Sequence, residues 1–404
     1  MAPVGSFESL MAAIQGGANS VYFGVGHLNM RSKSTVNFTL TDLAEIVSIC
    51  KTNGIKTYLT VNTVLYDHDI TPMQHTIDAA AKAGVSAVIV SDQSAILYAR
   101  EQGVEVHLST QLNISNTQSL IFYSQWADVA VLARELTLDQ VATISKNIKD
   151  QNITGPSGNL IKLELFAHGA LCMAVSGKCY MSLHQANSSA NRGACLQICR
   201  RSYTVTDNET GDQLEIDNEY IMSPKDLCTI GFLNKIIDSG VTVLKLEGRA
   251  RSPEYVKTVT QCYREAVNSI ADGTYGTEKI KEWEGRLVKV FNRGFWDGYY
   301  MGQRLGEWSH FYGSVATEQK IYCGKITNFF TKLGVAEILV ESSNLNKGDK
   351  LLIIGPSTGV VECTAEEIRV DDKPQDSVAK GIRCSIVSPT LLRRNDKVYK
   401  MISK

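Results

Sequence analysis

The chain has no run of about 18 apolar residues, the length a membrane-crossing helix needs. Its start, MAPVGSFESL, has no basic segment followed by an apolar one, so no secretory leader is read there. Net charge is almost absent: 41 Lys and Arg stand against 42 Asp and Glu, −1 overall. Nothing global draws the chain onto nucleic acid or membrane, and any polyanion site has to be a local patch. There is no G-x-S-x-G and no H-E-x-x-H, so neither a serine nucleophile elbow nor a zinc-peptidase helix is legible. These absences predict a soluble, cytoplasmic protein with no membrane partner, whose thiols stay reduced. Ten cysteines in such a compartment argue against a disulfide scaffold.

What is present, over 404 residues, is a beat of short apolar runs and helical patterns. The strand-like runs lie at 20–25, 56–62, 86–91, 104–109, 128–133, 162–169 and 241–248, nearly continuous in Val, Ile, Leu and Tyr, as strands buried on both faces should be. Helices lie between them. Ser6 reads as the cap of the first, Thr41 and Gly54 bracket 41–53, and Thr71-Pro72 and Gly84 bracket 71–83. Met1-Ala2-Pro3 reads as the tail of an eighth strand. Eight βα units over roughly 270 residues predict a (β/α)8, TIM-like barrel. A doubly wound sheet is the alternative, and periodicity does not separate the two. The expected division is a barrel over residues 1–284 with a cysteine-rich loop at 170–225, a Gly- and aromatic-rich connector at 285–318, and a small antiparallel β-barrel at 319–404.

The beat fails between 170 and 225, and five cysteines belong to that break. Their spacing is C-x6-C-x15-C-x3-C-x28-C, from Cys172 through Cys179, Cys195 and Cys199 to Cys228. The other five, Cys50, Cys262, Cys323, Cys363 and Cys384, sit in helices or strands and read as small buried hydrophobes. Paired zinc knuckles are missing, since only Cys195-x3-Cys199 approaches one. Four thiolates drawn from a long loop suit a 4Fe–4S cluster better. SPKDLC reads as a helix start, with Ser223 capping and Pro224 at the first position, which would hold Cys228 firmly. The ligand set read here is Cys172, Cys179, Cys195 and Cys228, with Cys199 spare; the competing set takes Cys199 in place of Cys228.

ELFAHGALCMAVSGKC, NRGACLQICRRSY, MSPKDL and LKLEGRARSPEYV resemble the signatures of peptidase family U32, the collagenase-like proteins. APVGSFESLMAAIQGGANSVYFG and HLSTQLNISN resemble its opening half, and the tail is similar to the family's C-terminal β-barrel. The family name implies proteolysis. The resemblance equally implies iron–sulfur hydroxylation without molecular oxygen, because the family includes such enzymes. One branch forms 5-hydroxyuridine at the wobble position of tRNA, with prephenate as co-substrate, and another serves oxygen-independent ubiquinone synthesis. In these the ligand cysteines fall in the same two motifs. Some members lack a cysteine in the SPKDL segment, which leaves Cys199 and Cys228 both open.

An RNA hydroxylase needs a redox centre, a pocket for a flat base and contacts to phosphate. Polar residues that end apolar strands face the active mouth of a barrel. Asn62, Gln111, Asn113, Arg134, Glu135, Lys245 and Arg249 are the substrate-binding candidates. Each alone reads equally as an ordinary loop side chain. Glu164 and Glu247 are candidate general bases. His168 is a candidate partner for Cys172 in a Cys–His pair, or a hydrogen-bond donor to a cluster sulfur, or a structural group. Arg192, Arg200, Arg201 and Arg251 are loop cations suited to phosphate or to a dicarboxylate co-substrate. The leading expectation is a tRNA uridine hydroxylase with tRNA and a small-molecule co-substrate as partners. Behind it stand a hydroxylase of a small aromatic or quinone precursor, a U32-type peptidase, and a non-catalytic cluster scaffold.

Overall fold

The computed structural model describes residues 1–33, 37–214, 222–303 and 306–404. Parts of the expected cysteine-rich loop (215–221) and connector (304–305) lie outside the described residues.

Seven strands run parallel, each paired with the next in sequence. They are β1 (Ala2–Pro3), β2 (Ser20–Phe23), β3 (Lys56–Val61), β4 (Ala87–Val90), β5 (Val106–Leu108), β6 (Val129–Val131) and β7 (Lys162–Ala170). An eighth, Val243–Leu246, pairs parallel with β7. The main chain of Met1, just ahead of β1, meets this eighth strand: its amine donates to Leu244 O at 2.8 Å and its carbonyl accepts from Leu246 N at 3.1 Å. The strands are buried on both faces: Val21, Phe23, Leu59, Val61, Val88, Val90, Val106 and Leu108 on one, and Tyr22, Tyr58, Thr60, Ile89 and His107 on the other. Helices fill the connections and cover the sheet. The fold is therefore mixed α/β with a mostly parallel sheet.

Two helix starts differ from expectation by a turn. Thr39, not Thr41, begins the first of them: a 3-10 turn over Leu40–Asp42 leads into Leu43–Thr52, and Thr39 N donates to Asp42 Oδ2 at 2.7 Å. The other begins at Ile70 after a 3-10 turn at Asp67–Asp69, which leaves Pro72 within the first turn.

The larger correction concerns SPKDLC. It is not a helix start. Asp226–Cys228 is a strand, antiparallel to the far end of β7, with Asp226 opposite Ala170 and Cys228 opposite His168. The capping signature is local and is overridden by distant partners. Arg200 donates to Ser223 Oγ at 3.0 Å and to Pro224 O, and Ser309 N donates to Ser223 O at 2.7 Å. With its hydroxyl and carbonyls engaged from elsewhere, Ser223 has no helix to cap.

β7 carries the irregularity that shapes the site. Lys245 faces Phe166 but Leu246 faces His168, so β7 takes two steps where its partner takes one. Such a bulge reverses which side chains face which layer. Past it, Gly169 adopts φ +108°, and a Cβ there would lie 2.7 Å from Glu247 O.

The C-terminal strands form an eight-stranded antiparallel sheet. Its core is built from alternate residues such as Ile326, Ile338, Ile353 and Ile386. Leu352, Ile354 and Val360 belong instead to the core of the parallel sheet, so the two sheets share a packed boundary. Gln15 stitches it, donating to Thr358 O and accepting from Val360 N, both at 2.9 Å. Among the described residues, no helix is long and apolar enough to cross a membrane.

Gly169→Ala should destabilise the chain by about 1–3 kcal/mol, because a side chain is strained at that φ and has a carbonyl in its way. A shift in the urea midpoint measures this; an unchanged midpoint would refute the packing described.

Candidate functional site

The carboxyl ends of the parallel strands converge on a cavity of about 190 Å³. Tyr22 of β2, Thr60 of β3 and Phe166 of β7 contribute from within strands. Asn62, Gln111, Arg134 and the segment Glu247–Arg251 contribute from just past strand ends. The cysteine-rich segment supplies the remaining wall.

Four of the five clustered cysteines, Cys172, Cys179, Cys195 and Cys199, line this cavity. Cys172 is exposed and the other three are half-buried. Burial pushes the Cys199 thiol up to about 11; Arg200 pulls the other way, and the charges of Cys172, Cys195 and Cys179 add to the rise. Those last influences place all four sulfurs in one electrostatic neighbourhood. Among the described residues, no three His, Cys, Asp or Glu side chains converge as they would on a single metal ion.

Cys228 is elsewhere. It is 8% exposed, belongs to the hydrophobic core and does not line the cavity. Burial raises its thiol to about 12. Its strand direction explains this: Cys228 caps no helix and faces the layer between the sheet and Tyr263. Cys199, the sequence reading's spare, occupies the wall where Cys228 was expected.

The lining is strongly cationic. Arg31, Arg134, Arg200, Lys245, Arg249, Arg251 and Arg293 face the cavity, against Glu247 as the one lining carboxylate among the described residues. Arg31 Nη2 pairs with Glu247 Oε1 at 3.0 Å, and Ala170 N donates to Glu247 Oε2 at 3.3 Å. Burial pushes the Glu247 carboxyl up, but Arg31, Arg251 and these hydrogen bonds outweigh it and hold it below the ordinary carboxylate range. A carboxylate so stabilised is an anchor for cations and a poor proton acceptor. Arg293 pairs with the buried Asp226 at 3.2 Å.

Glu164 does not line the cavity. It is fully buried beneath Lys245, whose Nζ lies 2.7 Å from Glu164 Oε1 between the rings of Tyr22 and Phe166. Glu164 therefore reaches the cavity through Lys245 and is no direct base for a bound substrate. His168 is also turned away. The bulge puts it on the helix side of the sheet, 1% exposed, against Tyr255, Tyr263 and Phe295. Tyr263 Oη sits 3.4 Å from its Nδ1. No histidine lines the cavity among the described residues, so the Cys172–His168 pair is not assembled.

Of the substrate-binding candidates, Asn62, Gln111, Arg134, Lys245 and Arg249 line the cavity. Asn62 accepts from Met30 N at 3.3 Å and donates to Ser109 Oγ at 3.2 Å. Asn113 and Glu135 do not line it: Asn113 ends a 3-10 turn in the left-handed region, and Glu135 is exposed. Arg192 instead clamps Asp69 at 2.6 and 3.2 Å, fastening the cysteine-rich segment to the loop after β3. The sequence reading missed Tyr22, Arg31, Thr60 and Arg293. Arg31 follows a strand end, which was a usable signal; Arg293 sits in a connector whose path no local pattern reveals.

Burial drives the His168 imidazole from its ordinary 6.5 down to about 3. Between those values the unfolded chain takes up a proton that the folded chain refuses. This contribution to stability is therefore intact above the unfolded value and is lost as pH falls toward the folded one, by up to about 1.4 kcal/mol per pH unit. His168→Phe should lose stability less steeply than the wild type across that window, measured by urea denaturation at successive pH values. Parallel slopes would contradict the burial described.

Three relatives share this chain's length or most of it. It is 60% identical to "Collagenase" of Porphyromonas gingivalis (strain ATCC BAA-308 / W83), covering 99% of this chain and 97% of that one. It is 32% identical to "tRNA hydroxylation protein P1" of Bacillus subtilis (strain 168), covering 92% and 87%. It is 33% identical to "23S rRNA 5-hydroxycytidine C2501 synthase" of Escherichia coli (strain K12), over 88% of this chain and 53% of that longer one. Residues 5–310, the parallel sheet together with the cysteine-lined cavity, match the family described as peptidase family U32. The chain belongs to peptidase family U32.

Proposed function

We propose that this chain is a cytoplasmic iron–sulfur enzyme that hydroxylates a pyrimidine of RNA, the wobble uridine of tRNA foremost, without molecular oxygen. The observation that carries the reading is the meeting of Cys172, Cys179, Cys195 and Cys199 with a cationic lining on one cavity. The donor set fits a 4Fe–4S cluster, in which each thiolate binds a separate iron and the sulfurs need not crowd one point as they would on a single ion. When bound, such a cluster supplies one-electron chemistry. The thiolates and sulfides of such a cluster are anionic, and Arg31 beside Cys195 and Arg200 beside Cys199 would offset that charge.

The chain's own residues have distinct tasks in this reading. Tyr22 and Phe166 give flat walls for a base, while Asn62 and Gln111 offer amides to its edge. The arginines hold a carboxylic acid co-substrate such as prephenate. The hydrogen bonds that Met1 donates to Leu244 and accepts from Leu246 support closure of residues 1–284 into a (β/α)8 barrel, which would put all of these groups at its active mouth. Residues 319–404 form the separate small β-barrel of this reading.

The relative named collagenase keeps a peptidase reading in view. The cavity does not favour it. Cys172 has no imidazole beside it among the described residues, and His168 faces the helix layer. A hydroxylase of a small aromatic or quinone precursor would use the same cavity and differs in substrate alone.

Protein purified without air should be brown, with about four iron and four sulfide per chain. Cys199→Ala should lose most of that iron, and Cys228→Ala should keep it. Iron retained in Cys199→Ala but lost in Cys228→Ala would reverse the ligand assignment. Deleting the gene should abolish or sharply lower 5-hydroxyuridine in tRNA; unchanged nucleosides in tRNA and rRNA would reject RNA as substrate. Gelatin should not be cleaved, with or without iron, and cleavage abolished by Cys172→Ala would establish the peptidase instead.

A further inference from the structure

Lys245 is the one lysine on the cavity lining among the described residues; the other cations there are arginines. Strand pairing fixes its place. Lys245 faces Phe166 of β7, and Glu164, two residues earlier on β7, lies beneath it on the same face. Lys245 Nζ reaches Glu164 Oε1 at 2.7 Å and makes no other hydrogen bond among the described residues. The rings of Tyr22 and Phe166 flank it, their centroids 4.8 and 5.4 Å from Nζ.

The pair is incomplete as a structural link. Glu164 is 0% exposed, yet its second oxygen, Oε2, has no hydrogen-bond partner. A buried ion pair recovers its desolvation cost only when the remaining lone pairs and protons are also satisfied. Buried polar atoms in folded proteins are nearly always bonded. Here a carboxylate oxygen and the remaining ammonium protons are left over, at the point where the sheet opens onto the cavity. A lysine held among apolar rings, beside a carboxylate placed to take its proton, is suited to act as a nucleophile. The arginines of the lining cannot do this, because a guanidinium keeps its proton.

We propose that Lys245 is a catalytic nucleophile that joins a small aldehyde or ketone to the chain as an imine, with Glu164 holding the proton that moves. The ammonium first gives a proton to Glu164 Oε1. The lone pair of the neutral amine then forms a C–N bond as the carbonyl π bond opens, and the oxygen takes a proton from the nitrogen. The new hydroxyl, on the carbon joined to Nζ, takes the proton held by Glu164 and leaves as water. A protonated imine remains, and Glu164 is a carboxylate again. Glu164 thus meets the substrate only once Lys245 has bonded to it. Nothing is oxidised or reduced, so the step needs no iron. The proposal rests on the preceding reading only in that the same cavity is the site of chemistry.

The test uses the full chain, purified without air. It is incubated with pyruvate or with hydroxyacetone, an uncharged ketone, in the presence of sodium cyanoborohydride, which reduces an imine to a stable secondary amine. Peptide mass mapping then locates the adduct. At least one of the two ketones should label Lys245, on the order of tenfold or more above exposed lysines such as Lys82. Labelling by hydroxyacetone assigns a simple carbonyl compound, and labelling by pyruvate alone assigns a 2-oxo acid. Lys245→Arg, which keeps a cation facing Glu164 but cannot form an imine, should lose this adduct while the exposed lysines label as before. A lysine with a purely structural role would carry no more label than the exposed ones.

A wild-type chain in which neither ketone labels Lys245 overturns the proposal. So does label confined to other amines, or spread equally over Lys245 and the exposed lysines. Should Lys245→Arg fail to fold, the map of the wild type decides alone. None of these outcomes depends on RNA or on turnover, so failure here leaves the hydroxylase reading standing, and failure of that reading leaves this one to be judged by its own adduct.

Discussion

One carboxylate ties the site together. Glu247 receives Arg31 from the segment after β2 and the Ala170 amide from the end of β7, and it sits on the turn that follows the last parallel strand. Three pieces of chain that are far apart in sequence are thereby fixed at one point. Ala170 stands two residues before Cys172, so the same contact roots the cysteine-rich segment. The arrangement is costly to dismantle from one side, since removing the carboxylate would leave Arg31, Arg249 and Arg251 facing one another across a low-dielectric floor. The cavity's shape and its charge thus share one cause.

The bulge in β7 is the second constraint. A regular strand would carry Glu164, Phe166 and His168 on the same face. The added residue keeps Glu164 and Phe166 inward and sends His168 to the helices. It also lets Gly169 pass close to the Glu247 carbonyl, where any larger residue would collide. A single irregularity therefore decides which polar residues are chemical candidates and which are core.

Much of this was legible in the sequence. Continuous apolar runs located the strands because burial on both faces leaves a pattern that needs no partner to be recognised. The five clustered cysteines stood out because they occupied the one stretch without that pattern. What could not be read were effects of distant contacts. SPKDLC carries a sound helix-start signature, yet Arg200 and Ser309 claim its capping groups. The same misreading grouped Cys228 with the other clustered cysteines, whereas Cys199 is the one that joins them on the cavity wall. His168 stayed open between a chemical and a structural role because a one-residue bulge leaves no mark in composition, and Arg293 went unread because its pairing with Asp226 spans 67 positions. The polar residues read from strand ends line the cavity where the chain runs on from the strand toward it, as at Asn62 and Arg249. They fall outside it where a left-handed turn intervenes, as at Asn113.

The fold also divides its sulfur into two populations. Cys50, Cys228, Cys262, Cys323 and Cys384 are sealed in cores, while Cys172 is exposed and Cys179, Cys195, Cys199 and Cys363 are half-buried. Oxidants and alkylating reagents act on accessible thiolates and spare sealed ones. Damage in air would therefore fall first on the cavity wall and leave the packing beneath it untouched. A chain oxidised this way would keep its buried packing, and a measurement that reports on the cores alone would not reveal the injury.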